Sequence, residues 1–238
     1  VISSSLSSKL RNDILAAISH YHQKTNIRFS KRAGQSKYLT FTTGTGCRAG
    51  VGYRSSRHIR LAPHCHLGAI IHEIGHAVGL AHEQNRTDRN KYIKVLWQNV
   101  SSKYKSQFNI VSSTRYQNFG SYDYRSIMHY GPYAASIKPS SKQYPTYKVI
   151  QAGAPTPKNP QRSSRLSSRD IATLAQMYPT ASGGSSGNNS SGRTCYYGGD
   201  SGICLLKSQG CSGKWAGTGC PSGESCCVAN SSGNPSPA

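Results

Sequence analysis

Acidic side chains are scarce in this chain of 238 residues, in which 8 Asp and Glu stand against 29 Lys and Arg and the formal net charge is +21. The chain also lacks any apolar stretch near the roughly 20 residues that a membrane-spanning helix needs, so we expect no membrane span. This charge is compatible with nucleic-acid binding, and equally with a secreted protein that acts on anionic polymers or acidic peptides. Composition alone leaves these classes open.

Cysteines are sparse in the first two thirds of the chain, where only Cys47 and Cys65 occur, whereas six lie between residues 195 and 227. The crowded region has no CxxC pair and no histidine follows His129, so a zinc site of ordinary ligand spacing is hard to build there. Such a density is typical of a disulfide-stabilised module in an oxidising compartment. We therefore expect a secreted, extracellular protein, and because no signal peptide is visible we expect the sequence to be its processed, mature form.

Composition predicts the domain organisation. Residues 181–193 are almost entirely Ser, Gly and Asn without apolar periodicity, which is typical of a flexible linker. We expect a body over residues 1–180, a small cysteine-rich accessory domain over 194–229 and a flexible tail over 230–238. The body holds 26 Lys and Arg against 6 Asp and Glu, a net charge of +20, so the basicity belongs to the body. The near-neutral remainder argues against a nucleic-acid partner for the accessory domain.

The body mixes helical and extended patterns, which predicts an α+β fold. Apolar residues recur at helical spacing from Leu10 to Tyr21 after a Ser cap, and a second helix is predicted from Leu67 to Val78. Ser167 followed three residues later by an acidic side chain opens a last helix that ends at Tyr178. Short β-prone runs lie between these helices: Ile27–Phe29, Tyr38–Thr42, Val51–Tyr53 and Ile59–Leu61.

The most informative segment runs from His72 to His82 and reads HEIGHAVGLAH. On a helix His72 and His76 present two imidazoles to one point, and Gly79 permits a left-handed turn that brings His82 round as a third ligand. Three neutral nitrogens leave a coordination position for water, which is the arrangement of a catalytic zinc site. Glu73 lies beside them, where it can hold and deprotonate a water activated by one Zn²⁺ ion.

This extended HExxHxxGxxH pattern is much more specific than HExxH alone. The competing interpretation is an amphipathic core helix that carries incidental histidines. Two of the six carboxylates of the body, Glu73 and Glu83, fall within or directly after this segment, although the body otherwise avoids acidic residues. That coincidence favours the metal site.

The motif with its trailing Glu83, together with the later segment Ser126-Ile-Met-His-Tyr130, resembles the astacin family of metzincin zinc endopeptidases. The resemblance extends with decreasing density from about Ile27 to Tyr178. It implies a metzincin-type protease body of two subdomains with a long active-site helix, followed here by the small disulfide-rich domain. It also implies a secreted zinc-dependent endopeptidase that hydrolyses peptide bonds of extracellular proteins.

The resemblance further implies roles for individual residues. Glu73 would be the general base that later passes its proton to the leaving amine. Tyr130 would ligate zinc in the resting enzyme and then swing away to stabilise the oxyanion, and Met128 would form the floor beneath the metal. The zinc ligands would be three histidines and one tyrosine: His72, His76, His82 and Tyr130.

Three structural features follow from the same resemblance. A disulfide between Cys47 and Cys65 would precede the active-site helix, and the segment from Cys47 to Tyr53 would form the upper rim of a cleft to which an extended substrate adds as a strand. The other body disulfide of the family has no counterpart, because the chain has Asn26 at one position and no cysteine in the region just after Tyr178. A contact between Val1 and Glu83 is also an expectation.

The remaining histidines are assigned structural places. We expect His64 and His66 in a solvated turn, and His129 to orient the Met-containing turn without binding zinc. His20 and His22 are expected at the surface of the first helix.

Three functional hypotheses remain open. The first is a monomeric endopeptidase acting on protein or peptide substrates, with a preference for acidic residues near the scissile bond that the field of the body and Arg48 suggest. The second is a non-enzymatic basic protein that binds anionic polymers or a cell wall, and the third is a toxin-like protease with one preferred target. The accessory domain would contact polysaccharide or cell wall through Tyr196, Tyr197 and Trp215, or would merely be a stable cap.

Overall fold

The computed structural model describes residues 1–52, 56–114, 116–157 and 163–179, and the backbone of four strands between residues 194 and 228. The chain divides into two compact units, residues 1–180 and 181–238. The predicted linker, residues 181–193, and the predicted tail, residues 230–238, lie outside the described residues. Within the described part, no helix is both long and apolar enough to cross a membrane.

Three helices form the frame of the first unit: α1 (Ser8–Lys24), α2 (Leu67–Ala77) and α3 (Ser168–Met177). Each begins at a side chain that accepts a hydrogen bond from a free amide of the first turn, which lowers the cost of starting a helix. These caps are Ser7, His66 and Ser167. The three helices predicted from apolar periodicity and capping residues are confirmed.

The strands of the first unit are short. The parallel pair β1 (Tyr38–Thr43) and β2 (Ser56–Leu61) carries Phe41 and Ile59, both buried, towards the helices. Residues 46–48 pair with β2 in the antiparallel sense on its other side. The antiparallel pair β3 (Ile93–Val95) and β4 (Tyr147–Val149) lies later in the chain.

Two predicted strands are wrong. Residues 27–29 are irregular, because the amide of Ile27 donates to Thr25 Oγ1 and the amide of Phe29 donates to His22 Nε2. Side chains at the end of α1 therefore take the hydrogen bonds that a neighbouring strand would have taken. Residues 51–52 form a bend, where Gly52 donates to the carbonyl of His76, and Tyr53 lies outside the described residues.

Two buried clusters divide the first unit. The larger one joins α1, α2 and α3 to the inner face of β1 and β2, and the smaller one is rich in aromatic rings around β3 and β4. Short 3₁₀ turns lie along the chain between α2 and β4: Glu83–Asn85, Arg89–Lys91, Trp97–Asn99 and Ser102–Phe108. Two cores within one α+β unit agree with a body of two subdomains.

The expected contact between Val1 and Glu83 is wrong. The backbone nitrogen of Val1 donates to the carbonyl of Leu39 at 2.7 Å, and its carbonyl accepts from the amide of Phe41 at 2.9 Å. Residues 1–3 are thereby held beside β1, because the free edge of that strand offers backbone partners.

A hydrogen bond stands where the family disulfide is missing. The side-chain amide of Asn26, just after α1, donates to the carbonyl of Tyr178, just after α3, at 3.0 Å. The hydroxyl of Tyr178 donates in turn to the carbonyl of Val78. Hydrogen bonds and the packed core therefore link the ends of all three helices without a covalent bond.

The second unit is a small antiparallel sheet of order β5-β6-β8-β7. Its strands are β5 (Thr194–Tyr197), β6 (Asp200–Leu206), β7 (Lys214–Ala216) and β8 (Glu224–Val228). The register places Cys204 opposite Cys226. The disulfides of this unit and the role of its aromatic residues stay predictions.

Close packing beneath α2 makes a prediction at Gly75. A Cβ there would stand 2.8 Å from Met128 Sδ and 3.2 Å from the Tyr21 hydroxyl, which is buried and donates to the carbonyl of Ile71. We expect Gly75→Ala to lower the free energy of unfolding by about 1–3 kcal/mol through overpacking, although alanine favours a helix by about 1 kcal/mol.

Urea denaturation measures this effect. Gly46→Ala is the control, because a Cβ at Gly46 has no heavy atom within 4 Å. Equal stability of the Gly75→Ala variant and the parent chain would contradict the packing described.

Candidate metal centre

The three histidines of the motif converge on one point. Nε2 of His76 lies 3.0 Å from Nε2 of His82, which in turn lies 3.3 Å from Nε2 of His72. His72 and His76 project from the same face of α2, and Gly79, at a φ of 109°, turns the chain so that His82 returns towards them. Nitrogens bound at 2.0–2.1 Å in a tetrahedral zinc site stand roughly 3.3 Å apart, so the spacing fits zinc.

Backbone carbonyls fix the tautomers of the first two histidines. Nδ1 of His72 donates to the carbonyl of Ile127 at 2.7 Å, and Nδ1 of His76 donates to the carbonyl of Leu80 at 2.8 Å. Because the ring proton of each neutral imidazole lies on Nδ1, each Nε2 presents a lone pair to the centre. Lone pairs that converge without a proton between them repel one another, and a bound cation removes that repulsion.

Burial keeps these rings neutral. It lowers the pKa of His72 to about 3 and the pKa of His76 to about 4, with the neighbouring His76 ring adding to the effect on His72. Burial and the other two ligands also hold the pKa of His82 well below its usual range. Three neutral imidazoles in one buried site are the donor set that zinc takes in catalytic centres.

Glu73 lies next to the first ligand on α2 and is almost fully buried. Burial raises the pKa of Glu73 to about 7, while a hydrogen bond from the backbone N–H of Ala49 acts in the opposite direction. A carboxyl whose pKa is close to neutral can both accept and return a proton at physiological pH. The position and the titration both suit a general base.

Asp170 supports the metal centre from α3. One carboxylate oxygen accepts from the Ser126 hydroxyl at 2.6 Å, and the other accepts from the amides of Ile127 and Ser167, each at 2.9 Å. The carbonyl of Ile127 is the group that orients His72. The capping carboxylate of α3 thus holds the turn on which the first ligand depends.

Tyr130 lies against the third ligand. Its ring centroid is 4.5 Å from that of His82, and its hydroxyl donates to Gln107 Oε1 at 3.5 Å. Burial raises the pKa of Tyr130 to about 12, with additional contributions from Glu73 and Tyr104, so the hydroxyl keeps its proton. Ligation of zinc by Tyr130 stays a prediction.

The backbone of Tyr130 is held more firmly than its hydroxyl. Its amide donates to Gln84 Oε1 at 3.0 Å, and its carbonyl accepts from His129 Nδ1 and from the Tyr147 hydroxyl, both at 2.7 Å. His129 is buried, and its Nε2 accepts from the Tyr122 hydroxyl. His129 therefore orients the turn, as its position in the motif suggested, and both of its nitrogens are engaged away from the metal centre.

The carboxyl of Glu83 contacts protein groups behind His82. Its Oε1 accepts from the amide of Asp123 at 2.7 Å and lies 3.6 Å from the guanidinium of Arg86. Burial nevertheless raises the pKa of Glu83 to about 8. It also lines a cavity of about 570 Å³ behind the ligand loop.

The disulfide implied by the family resemblance is present between Cys47 and Cys65. It ties residues 46–49, which we call the rim segment, to the start of α2. The outward amide of that segment, at Ala49, reaches Glu73. The rim therefore borders the metal centre.

Two expectations about other histidines are wrong. His20 and His22 are half-buried, and each uses Nε2 to accept a backbone amide, from Leu166 at 3.0 Å and from Phe29 at 2.8 Å respectively. Their places in the sequence contain no sign of these distant partners. His64 and His66 are exposed as expected, and His66 also caps α2.

Comparisons with known proteins agree with this site. A model of the astacin family of peptidases matches residues 1–179. Zinc metalloproteinase nas-13 of Caenorhabditis elegans is 38% identical over 181 residues, which cover 74% of this chain and 38% of that protein. Protein SpAN of Strongylocentrotus purpuratus is 36% identical over 179 residues, which cover 69% of this chain and 26% of that protein.

A solved structure extends the comparison. The fold resembles that of high choriolytic enzyme 1, a hatching enzyme zinc-protease from Oryzias latipes, with a TM-score of 0.66 and 30% identity over 75% of this chain and 86% of that chain. The chain spans less than two fifths of the length of nas-13 and about a quarter of SpAN.

The support from α3 predicts an effect on metal binding. We expect Asp170→Ala to weaken zinc affinity by about 10- to 100-fold, because the carbonyl that orients His72 loses its anchor. Competition for zinc with a chromophoric chelator measures the affinity directly. Asp170→Asn keeps a side-chain oxygen that can accept a hydrogen bond, so we expect a smaller loss of zinc affinity.

Asp13→Ala is the matched control, since Asp13 forms a surface ion pair with Lys9 and is remote in sequence from the turn. Circular dichroism should show that all the variants fold. Unchanged zinc affinity in a folded Asp170→Ala variant would contradict the positioning role.

Proposed function

Because the chain belongs to the astacin family of peptidases, we propose that its first unit is a zinc-dependent endopeptidase that hydrolyses peptide bonds of extracellular proteins. The observation that carries this proposal is the convergence of three neutral histidine nitrogens, from the buried His72 and His76 and the half-buried His82, beside the carboxyl of Glu73. A non-enzymatic protein that merely coats anionic polymers has no use for such a centre.

The protein groups around the centre divide the chemistry. His72, His76 and His82 would hold the ion, and zinc bound there would act as a Lewis acid that polarises the scissile carbonyl and acidifies a water. Glu73 would accept the proton of the attacking water and return it to the leaving amine. The amide of Ala49 would keep the carboxylate aimed at the centre between these steps.

Tyr130 would stabilise the charge that develops on the scissile carbonyl. Its hydroxyl keeps its proton at neutral pH because burial raises its pKa to about 12, so it is able to donate to an oxyanion. The hydrogen bonds of its backbone fix the position of the residue, whereas its hydroxyl makes a long contact with Gln107 that an oxyanion could replace. We keep ligation by Tyr130 as part of the proposal for the resting state.

The charge of the surroundings supports a preference for acidic residues near the scissile bond. Arg48 lies on the rim segment, and Lys103 and Lys105 are exposed on the 3₁₀ turn that ends beside Tyr130. Four of the six carboxylates of the body lie in or behind the metal centre: Glu73, Glu83, Asp123 and Asp170. Three of these four are buried and Glu83 is bonded to the amide of Asp123, so the exposed walls are cationic and attract anionic side chains.

Secretion is part of the proposal. The disulfide between Cys47 and Cys65 requires an oxidising compartment to form and persist. The monomeric state and the contact of the accessory domain with polysaccharide or cell wall remain expectations from the sequence.

The activity is tested by cleavage of a denatured protein substrate such as casein. We expect cleavage that a zinc chelator abolishes and added zinc restores. Glu73→Gln should lower the rate by about 10²- to 10⁴-fold, the usual contribution of a general base, while zinc content stays unchanged. A folded, zinc-loaded sample without chelator-sensitive cleavage would overturn the proposal.

The preference for acidic residues is tested by sequencing the ends of the products from a proteome-derived peptide library. We expect enrichment of Asp and Glu within a few residues of the cleaved bond. The enrichment should weaken as ionic strength rises, since salt screens exposed charges. A profile with no acidic enrichment at low salt would contradict this part of the proposal.

A further inference from the structure

Two pairs of like charges stand directly opposite each other across antiparallel strands. Arg48 of the rim segment faces Arg60 of β2, and Lys94 of β3 faces Lys148 of β4. All four side chains are exposed. Like charges in directly opposed positions destabilise a sheet, so each pair lowers the stability of the fold.

The arginine pair has no carboxylate to offset this repulsion. The sequence contains no Asp or Glu between Asp13 and Glu73. Among the described residues, the ion pairs link Lys9 with Asp13 and Arg86 with Glu83 and Asp88. The guanidinium of Arg48 instead donates to the hydroxyl of Thr45 at 3.0 Å, which orients it without neutralising it.

Among the described residues the rim segment pairs with β2 along one edge, and its other edge, which carries the N–H of Ala49 beside Glu73, pairs with no strand. Arg48 and Arg60 exchange both backbone hydrogen bonds, at 2.9 and 2.8 Å. In an antiparallel ladder the neighbouring residues Cys47 and Ala49 then direct their N–H and C=O groups away from β2. The interaction of the Ala49 N–H with the carboxyl of Glu73 agrees with this direction.

Side chains alternate between the two faces of this small sheet. Cys47 and Ala49 pack against the larger core, as do Ile59 and Leu61 of β2. Arg48 and Arg60 therefore emerge on the opposite, solvent-facing side, which we call the outer face. Thr42 of β1 stands opposite Arg60 in the register and continues this row with a small polar side chain.

A peptide that adds to the free edge as a strand inherits this alternation. Residues directly opposite each other on paired strands project to the same face of a sheet. The substrate residue opposite Arg48 would therefore project its side chain onto the outer face, beside both guanidiniums. Its two neighbours would project to the inner side, towards the metal centre.

We propose that Arg48 and Arg60 form an outer-face subsite that selects an acidic side chain on the substrate strand, at a position set by strand alternation. The subsite rests on the proposed peptidase function, since it requires a peptide on the rim segment. Because side chains alternate along a strand, only every second substrate residue on the rim segment can place an acidic side chain in this subsite. We expect a substrate carboxylate to occupy this subsite, because Arg48 belongs to the same rim segment that borders Glu73.

The test uses a series of peptides built on one neutral sequence that the enzyme cleaves. Each member replaces a single Gln by Glu at successive positions on both sides of the scissile bond, and kcat/KM is measured for each. At the position opposite Arg48 we expect Glu to exceed Gln by roughly three- to tenfold, the range for an exposed carboxylate that meets two cations. Its immediate neighbours on the strand should show no gain from this subsite.

Two double variants separate the subsite from the overall field. Arg48→Gln with Arg60→Gln should reduce the ratio of kcat/KM for Glu over Gln at that position to within about twofold. Lys94→Gln with Lys148→Gln removes the same charge from another like-charged pair and should leave the preference intact. Arg60→Lys keeps the positive charge and should therefore keep part of the preference for Glu over Gln. Thermal unfolding checks that every variant is folded.

The failures are distinguishable. If the wild-type protein cleaves no peptide in a chelator-sensitive way, the proposed peptidase function fails. If it cleaves them all but treats Glu and Gln alike, or if both double variants lose the preference equally, the subsite is overturned and the peptidase function stands. A preference that persists in the arginine double variant would overturn it as well.

Discussion

The structure depends on holding three neutral imidazoles with their lone pairs aimed at one buried point. This arrangement is unfavourable for the protein alone, because converging lone pairs repel and burial prevents protonation from relieving them. The fold meets the cost with fixed acceptors behind the rings: the carbonyls of Ile127 and Leu80 set the tautomers of His72 and His76. Much of the surrounding packing positions those two carbonyls.

Most of the few acidic residues of the body lie at or behind this centre. Glu73 faces it, Asp170 holds the turn beneath it, and Glu83 and Asp123 lie behind the third ligand. Because four of the six carboxylates of the body lie in or behind the metal centre, Asp13 and Asp88 are the two that remain to offset the basic residues of its outer surface. The same allocation that builds the metal site thus produces the field that a substrate meets.

Much of the site could be predicted because its signals are local. Residues four apart on a helix share a face, so His72 and His76 were expected together, and the glycine at position 79 announced the turn that returns His82. The capping pattern at Ser167 likewise located the start of α3. The contact of Asp170 with the turn at Ser126 could not be predicted, because it joins residues 44 positions apart.

Distant partners also explain the wrong expectations. His20 and His22 were expected at the surface from helix position alone, yet each accepts a backbone amide from another segment. Residues 27–29 have the composition of a strand, but the side chains of His22 in α1 and of Thr25 just after it take two of their amides. Val1 lies beside β1 and not near Glu83, because the edge of that strand offers residues 1–3 three backbone hydrogen bonds, counting that of Ser3.

The sequence by itself determined the helices, the cluster of three histidines and the family, since periodicity, capping and motif spacing are properties of neighbouring residues. Only the tertiary structure decided which carbonyls orient the ligands and which cations face each other across strands. Apart from the bond between His76 and the carbonyl of Leu80, which spans four residues, those relations arise when separate segments of the chain are brought within hydrogen-bond distance. The pairing of Arg48 with Arg60 is of this second kind, because strand register is fixed by the packing of the inner face.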